Sequence, residues 1–515
     1  MIGRRTLLGA SAALTALPTA AFAQPDPVAA GKTGRWQGKR DGNVNAFLGI
    51  RYGNDTSRTR FRPATAPDAS RDTIAATTFA ASCPQTGRAA NQREDCLFLN
   101  VWTPQANPGA RRPVMVYFHG GAYSNGTVIE PQVFGQTLAE NGDVVVVTVN
   151  HRLNALGYLY LARLDPRFPD SGNNGQLDLI LALKWVRDNI AGFGGDPRRV
   201  MVFGQSGGGA KIATLMGMPA AKGLFHTAAT MSGQQVTASG PLNATRRAEA
   251  LLDRLKAKPG DLIDVPVEKL IDGLKAEDPI LGGGVYMGPV LDMKWLTRHP
   301  FWPDANPQGN TIPLILGNTR DETRAFDDSK SEVVRTLDWS NVAARIAPRL
   351  RIDAHPEWVV AEYRKQFPDW TPEQIFYAAT TAGRSWRGQV IEAEERAKAG
   401  VPAWVYQLDY TSPLEADRGA AHTHDIPLVF GTIGAEGTTS GTGPAAQAAS
   451  ATMMRAFVHL ATTGNPNGKG IPAWPRHTLP QRQTMLFDAR SRVQNDPRKW
   501  QRELFARVPY IQPGT

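Results

Sequence analysis

The sequence predicts an α/β fold in which a mostly parallel sheet is covered by helices on both faces. Three observations carry that expectation. Continuous apolar runs at 113–119, 144–149 and 200–203 are what strands buried on both faces require. Leu177, Ile180, Leu181 and Trp185 form one helical stripe between the second run and the third, and strand followed by helix, repeated, is the pattern of a parallel sheet. The third run passes directly into Gly204-Gln205-Ser206-Gly207-Gly208, a G-x-S-x-G turn between a strand and a helix at 210–216.

Taken in order, 44–52 reads as a strand of a small N-terminal sheet, and 94–102 alternates well enough for another. The main sheet follows with 113–119, 144–149, the helix around Trp185, and the run ending at Phe203. It continues through 227–232, 313–317 and 402–408. The long polar and helical stretches at 233–313 and 321–400 read as insertions over the carboxyl ends of the strands, where open α/β sheets bind ligands. No Gly/Ser linker, charge block or repeat divides the 515 residues, so 24–515 is expected to be one domain.

The first 23 residues are of another kind. Arg4-Arg5 precede the apolar run 7–17, then Pro18 and Ala21-Phe22-Ala23, the layout of an export signal with a small-residue cleavage site. The paired arginines resemble a twin-arginine signal, with a general secretory signal as the alternative. Eleven apolar residues are too few to span a bilayer, and nothing later reads as a membrane span. The formal charge of +10 is spread along the chain rather than gathered with aromatics, so it predicts a solvated basic surface and no nucleic-acid partner. Two cysteines occur, Cys83 and Cys96. In an exported protein such a pair is expected to close a short disulfide loop.

Ser206 is the candidate nucleophile. A phosphate loop also joins a strand to a helix, but it needs Gly-Lys-Ser/Thr, and here Gly209 is followed by Ala210 and Lys211 by Ile212. A serine hydroxyl needs a base, and the base needs an acid, in the chain order Ser, Asp/Glu, His on this kind of sheet. Asp321 and Glu322, just past the run at 313–317, are both candidates for the acid. His422 and His424, past the last predicted strand, are candidates for the base. His119-Gly120-Gly121-Ala122 matches the H-G-G loop that supplies backbone N–H groups to an oxyanion. No H-E-x-x-H or cysteine set supports a zinc site at 422–425, and no metal or cofactor is expected.

With these parts assembled, the chain resembles the type-B carboxylesterases, the α/β-hydrolase group that includes the cholinesterases. The likeness covers nearly all of 24–515. Glu94-Asp95-Cys96-Leu97-Phe98-Leu99-Asn100 matches the family's E-D-C-L-x-L-N signature. Gly172-Asn173-Asn174-Gly175 through Gly194-Gly195-Asp196-Pro197, then 203–208, matches the segment leading into its nucleophile.

The resemblance implies an α/β-hydrolase fold with helical insertions over the active-site edge. It also implies a serine carboxylic-ester hydrolase that works through an acyl-enzyme on small-molecule esters. The acid falls on Glu322 and the base on His422. The oxyanion donors fall on Gly121, Ala122 and Gly207, and Ser232 supports the acid and base. It further implies a Cys83–Cys96 disulfide and an Arg60–Glu94 pair. Gln205 departs from the family's usual Glu, and 83–96 holds no aromatic residue. Both changes remove attraction for a quaternary ammonium, so neutral esters are expected in place of choline esters. Aligned on Pro289 and Asp292, the acyl-pocket positions fall on Gly283 and Val285, with Tyr286 and Met287 able to close the space. A non-catalytic adhesion module of the same fold is the alternative function.

Overall fold

The computed structural model describes residues 25–87 and 89–512; the expected export segment, 1–23, lies outside them. Its centre is an eleven-stranded sheet. The parallel block runs, in spatial order, Val145–Val149, Arg112–Phe118, Gly195–Gln205, Thr227–Met231, Leu314–Thr319, Ala403–Leu408 and Gln483–Phe487. Antiparallel strands finish it. Arg492–Asn495 lies at one end, and Phe98–Thr103, Val44–Arg51 and Lys39–Asp41 lie at the other.

The apolar runs feed two cores because successive side chains leave a strand on opposite faces. Val114, Val116, Phe118, Val200 and Val202 enter one core, while Met115, Tyr117, Met201 and Phe203 enter the other. The helix Asn174–Asn189 covers the first with Leu179, Ile180 and Leu183. The helix Pro444–Thr463 covers the second with Met453, Phe457 and Leu460.

Three sequence expectations change. The strands at 44–52 and 94–102 join the main sheet, because Val44 and Ala46 feed one core while Phe47 and Ile50 feed the other. The small sheet is built instead from Val28–Ala30, Arg35–Gln37 and Thr73–Ala75. Gln483–Phe487 and Arg492–Asn495 extend the sheet beyond 402–408, which was expected to end it. Finally, Arg387–Lys398, read as part of an insertion, returns to the sheet, and its Ala393 enters the first core.

The insertions are anchored in different ways. Arg60 binds both carboxylate oxygens of Glu94 and also donates to the carbonyls of Leu262 and Ile263 at 3.1 and 3.0 Å. That joins the first insertion to the N-terminal region. The second insertion has an apolar cluster of its own, including Ile346, Val359, Tyr363 and Phe376, which Leu504 and Phe505 close from the C-terminal side. Among the described residues no helix is long and apolar enough to cross a membrane.

Candidate active site

The strand Gly195–Gln205 carries Ser206 to the sheet's edge, and the helix Gly207–Leu215 begins at the next residue. Ser206 takes φ 56° and ψ −124°, a conformation that an L-residue keeps only when its surroundings enforce it. Close packing enforces it here. A Cβ on Gly208 would collide with the Phe118 carbonyl, and one on Gly204 would lie 2.7 Å from the same oxygen. The Ser206 N–H donates to the Met231 carbonyl at 2.7 Å, and the residue faces a cavity of about 290 Å³.

Glu322 follows the strand Leu314–Thr319, and His422 follows Ala403–Leu408, so both arrive at the same edge. His422 Nδ1 and Glu322 Oε2 share a short hydrogen bond. The other carboxylate oxygen accepts from the Ser232 hydroxyl, from the Thr319 N–H at 2.9 Å and from Asn318 Nδ2 at 3.1 Å. Burial would raise this carboxyl's pKa, but the imidazole, the Ser232 hydroxyl and the Thr319 N–H outweigh burial and bring it to about 2. An ionised Glu322 makes Nδ1 the donor, which leaves Nε2 of a neutral ring as an acceptor. The Gln205 carboxamide nitrogen lies 3.3 Å from that Nε2. Among the described residues no hydrogen bond joins Ser206 to His422; such bonds are often long before substrate binds.

The other candidates lie apart from these groups. Asp321 accepts the Ala420 N–H at 3.0 Å and pairs with Arg320 at 3.0 Å. His424 Nε2 sits 3.5 Å from Glu415, and its Nδ1 accepts the Ala421 N–H at 3.3 Å.

Gly121 and Ala122 turn the loop after Arg112–Phe118 with φ of 79° and 52°. The Gly121 carbonyl accepts the N–H groups of Ser124 and Asn125, each at 3.1 Å. A Cβ on Gly207 would strike the Ala122 carbonyl, so only glycine lets this loop rest on the start of the helix. Ala122 and Gly207 line the cavity beside Ser206. No acceptor among the described residues engages the N–H groups of Gly121, Ala122 or Gly207. They can therefore serve charge that develops in the cavity.

The 283–287 segment departs from expectation. Of its four candidates only Tyr286 lines the cavity. Val285 and Met287 are packed into the first core, and a Cβ on Gly283 would meet open space. The cause is Asp278. Its carboxylate accepts the N–H groups of Ile280, Leu281 and Tyr286 and pairs with Arg247 at 2.7 Å. That network folds the glycines into an outer turn and points Tyr286 inward. Sequence reasoning missed Arg351, Arg384, Tyr510 and Gln512, which also line the cavity. An arginine between the apolar positions of 375–386 was the available sign for Arg384; Arg351 offered none.

Cys83 and Cys96 are both buried, and the structure holds them as free thiols. They sit side by side. The Cys83 sulfur against it and burial push the Cys96 thiol well up, which keeps it protonated. Cys83 Sγ also accepts the Leu153 N–H at 3.3 Å.

Comparison with known proteins agrees with this architecture. A model of the carboxylesterase family matches residues 25–505. Para-nitrobenzyl esterase of Bacillus subtilis is 33% identical over 497 residues, covering 91% of this chain and 96% of that protein. The crystal structure of the Geobacillus stearothermophilus carboxylesterase EST55 superposes with a TM-score of 0.83 at 32% identity, over 93% of this chain and 99% of that one. An esterase from Clostridium hathewayi, described as able to hydrolyse aliphatic aromatic polyesters, superposes with a TM-score of 0.75 at 30% identity. It covers 94% of this chain and 98% of that one.

Proposed function

Since the chain belongs to the carboxylesterase family, an enzyme family that hydrolyses esters, we propose that it works through a Ser206–His422–Glu322 triad and an acyl-enzyme. One observation carries the reading. The strained Ser206 shares a sheet edge with a histidine whose Nδ1 is held by a buried, ionised glutamate.

His422 Nε2 takes the Ser206 proton as Oγ attacks the ester carbonyl. The carbonyl electron pair moves onto oxygen, where the N–H groups of Gly121, Ala122 and Gly207 stabilise it. Collapse of this intermediate breaks the ester C–O bond, and His422 returns the proton to the departing alcohol. Water, deprotonated by the same nitrogen, then attacks the acyl-serine; the acid leaves and Ser206 recovers its proton. Glu322 stays ionised throughout and fixes the ring, while Ser232 fixes Glu322. We also propose export directed by 1–23 and oxidation of Cys83 with Cys96 once outside the cytoplasm.

The test is labelling with a fluorophosphonate probe and mapping the adduct. Modification of Ser206, absent from Ser206→Ala, supports the reading. An unlabelled protein would instead indicate a binding module that keeps the fold without the chemistry.

A further inference from the structure

The cavity above Ser206 has a basic wall. Arg351 and Arg384 both line it, next to Tyr286 and Tyr510. Each arginine is fixed from behind. The Arg351 N–H donates to the Gly383 carbonyl at 2.8 Å, and its own carbonyl accepts the Ile511 N–H at 2.8 Å. Arg384 lies in a π-helical turn, Ala382–Trp386, set between two α-helices; such turns recur at functional sites. Its guanidinium stacks 4.2 Å from the centre of the Phe326 ring, and that ring lies 5.1 Å from the His422 ring.

These two cations have donors to spare. Arg351 Nε and Arg384 Nη1 are buried and have no hydrogen-bond partner. Among the described residues no carboxylate lies within ion-pair distance of either guanidinium. The acids whose charge reaches Arg384 are held elsewhere: Glu322 by His422, and Asp327 by Arg349. Burial, and then the neighbouring Arg351, lower the pKa of Arg384, as expected when like charges face one space. Two guanidinium groups brought together with no carboxylate paired to either are costly, and a carboxylate is the group whose geometry answers them. A phenyl or alkyl stem leading to that carboxylate would find Tyr286, Leu281 and Tyr123 in the same cavity.

We propose that the enzyme's preferred substrates are esters that carry a free carboxylate, held by Arg351 and Arg384 while Ser206 attacks the ester. This rests on the ester-hydrolase reading and replaces the expectation of a neutral substrate. The arginines also disfavour a quaternary ammonium, in line with the departures at Gln205 and 83–96.

The experiment compares kcat/KM of the full-length enzyme on two matched pairs. Mono-p-nitrophenyl glutarate against p-nitrophenyl hexanoate places the charge on the acyl side. 3-(4-acetoxyphenyl)propanoate against 4-propylphenyl acetate places it on the alcohol side. At least one pair should favour the anionic member by about 10–100-fold, through KM, as charge-assisted hydrogen bonds supply. That ratio should fall at least about 5-fold in Arg351→Gln and in Arg384→Gln, with Arg384→Lys intermediate. Because it is a ratio, a partly unfolded preparation does not move it. Should a variant fail to fold, the wild-type ratios and competitive inhibition by glutarate but not glutaramide decide the matter. Ratios near one in both pairs, with the neutral esters still hydrolysed, would overturn the proposal and leave the hydrolase reading standing. No turnover of any ester and no fluorophosphonate adduct would overturn the hydrolase reading itself.

Discussion

Lys211 Nζ donates to the carbonyl oxygen of His119 at 3.1 Å. That bond ties the helix behind the nucleophile to the residue that opens the Gly120-Gly121-Ala122 loop. The lysine is fully buried, its Nζ lies 5.7 Å from the centre of the Tyr123 ring, and burial lowers its pKa to about 7. Lys211→Met should loosen the loop and lower kcat by roughly 10-fold, the cost of one oxyanion donor made imprecise, with KM less affected.

The same residue should set a slope of stability with pH. Its folded pKa of about 7 lies below the ordinary lysine value of 10.5, so between these limits the unfolded chain binds the extra proton. Stability from this group therefore rises with pH across that window, approaching ~1.4 kcal/mol per unit. Urea unfolding of the wild type and Lys211→Met at pH 7, 8 and 9 should show the difference shifting towards the wild type as pH rises. Parallel curves would refute it.

Ser206→Ala, Glu322→Gln and His422→Ala should each lower kcat/KM by roughly 10⁴ or more, and the double variants should be little worse, because the three groups act as a unit. His424→Ala should be mild by comparison, since His424 contacts Glu415 rather than the triad. An inactive His424→Ala beside an active His422→Ala would reassign the base.

Ser232→Ala removes one of the donors that bring Glu322 to about 2, so that carboxyl should rise. The expected kcat loss is about 10-fold, growing towards the acid end of the pH profile, where the raised carboxyl begins to take up a proton. The linkage to stability has the same sign. A depressed carboxyl stabilises the fold above its unfolded pKa and loses that stabilisation as pH falls towards its folded value. Acid unfolding of Ser232→Ala should therefore begin at a higher pH than in the wild type.

Closing Cys83 to Cys96 should change stability and leave the chemistry alone, because neither residue lines the cavity. Thiol titration of denatured protein, purified from its exported location, should find no free thiol before reduction. Reduction should lower Tm, since a loop of this length adds roughly 3 kcal/mol in the chain-entropy model, and kcat should stay the same. Two titratable thiols in that preparation would refute the oxidation.

Legibility in the sequence followed burial. Runs such as 113–119 and 144–149 were readable because both faces of the strand enter a core, so nearly every side chain is apolar. The same condition holds in Val44–Arg51, but its place in the main sheet depends on antiparallel pairing with Phe98–Thr103, which no local pattern reveals. Gln483–Phe487 starts with two polar residues, Gln483 and Thr484, and so does not stand out. Ser206, Glu322 and the 119–122 loop were readable because each follows closely on a buried strand, whereas His422 lies well past Leu408 and was singled out by the resemblance. Arg351 and Arg384 reach the cavity through tertiary packing of an insertion, which leaves no motif along the chain. Gly283 and Val285 misled because their conformation is set by Asp278, whose network is not visible in a motif.

The second insertion's separate apolar cluster divides the enzyme's labour. Ser206, Glu322 and His422 hang from strands whose packing the whole domain shares, whereas Arg351 and Arg384 adjoin Leu350, Ile352 and Ala382, members of the separate cluster. Selection can therefore rewrite what the enzyme accepts, exchanging charge, size or polarity on that wall, without loosening the frame that does the chemistry. Directed evolution aimed at 350–352 and 382–386 should yield many folded variants with altered preference, where the same mutational load at 204–209 would yield mostly dead ones.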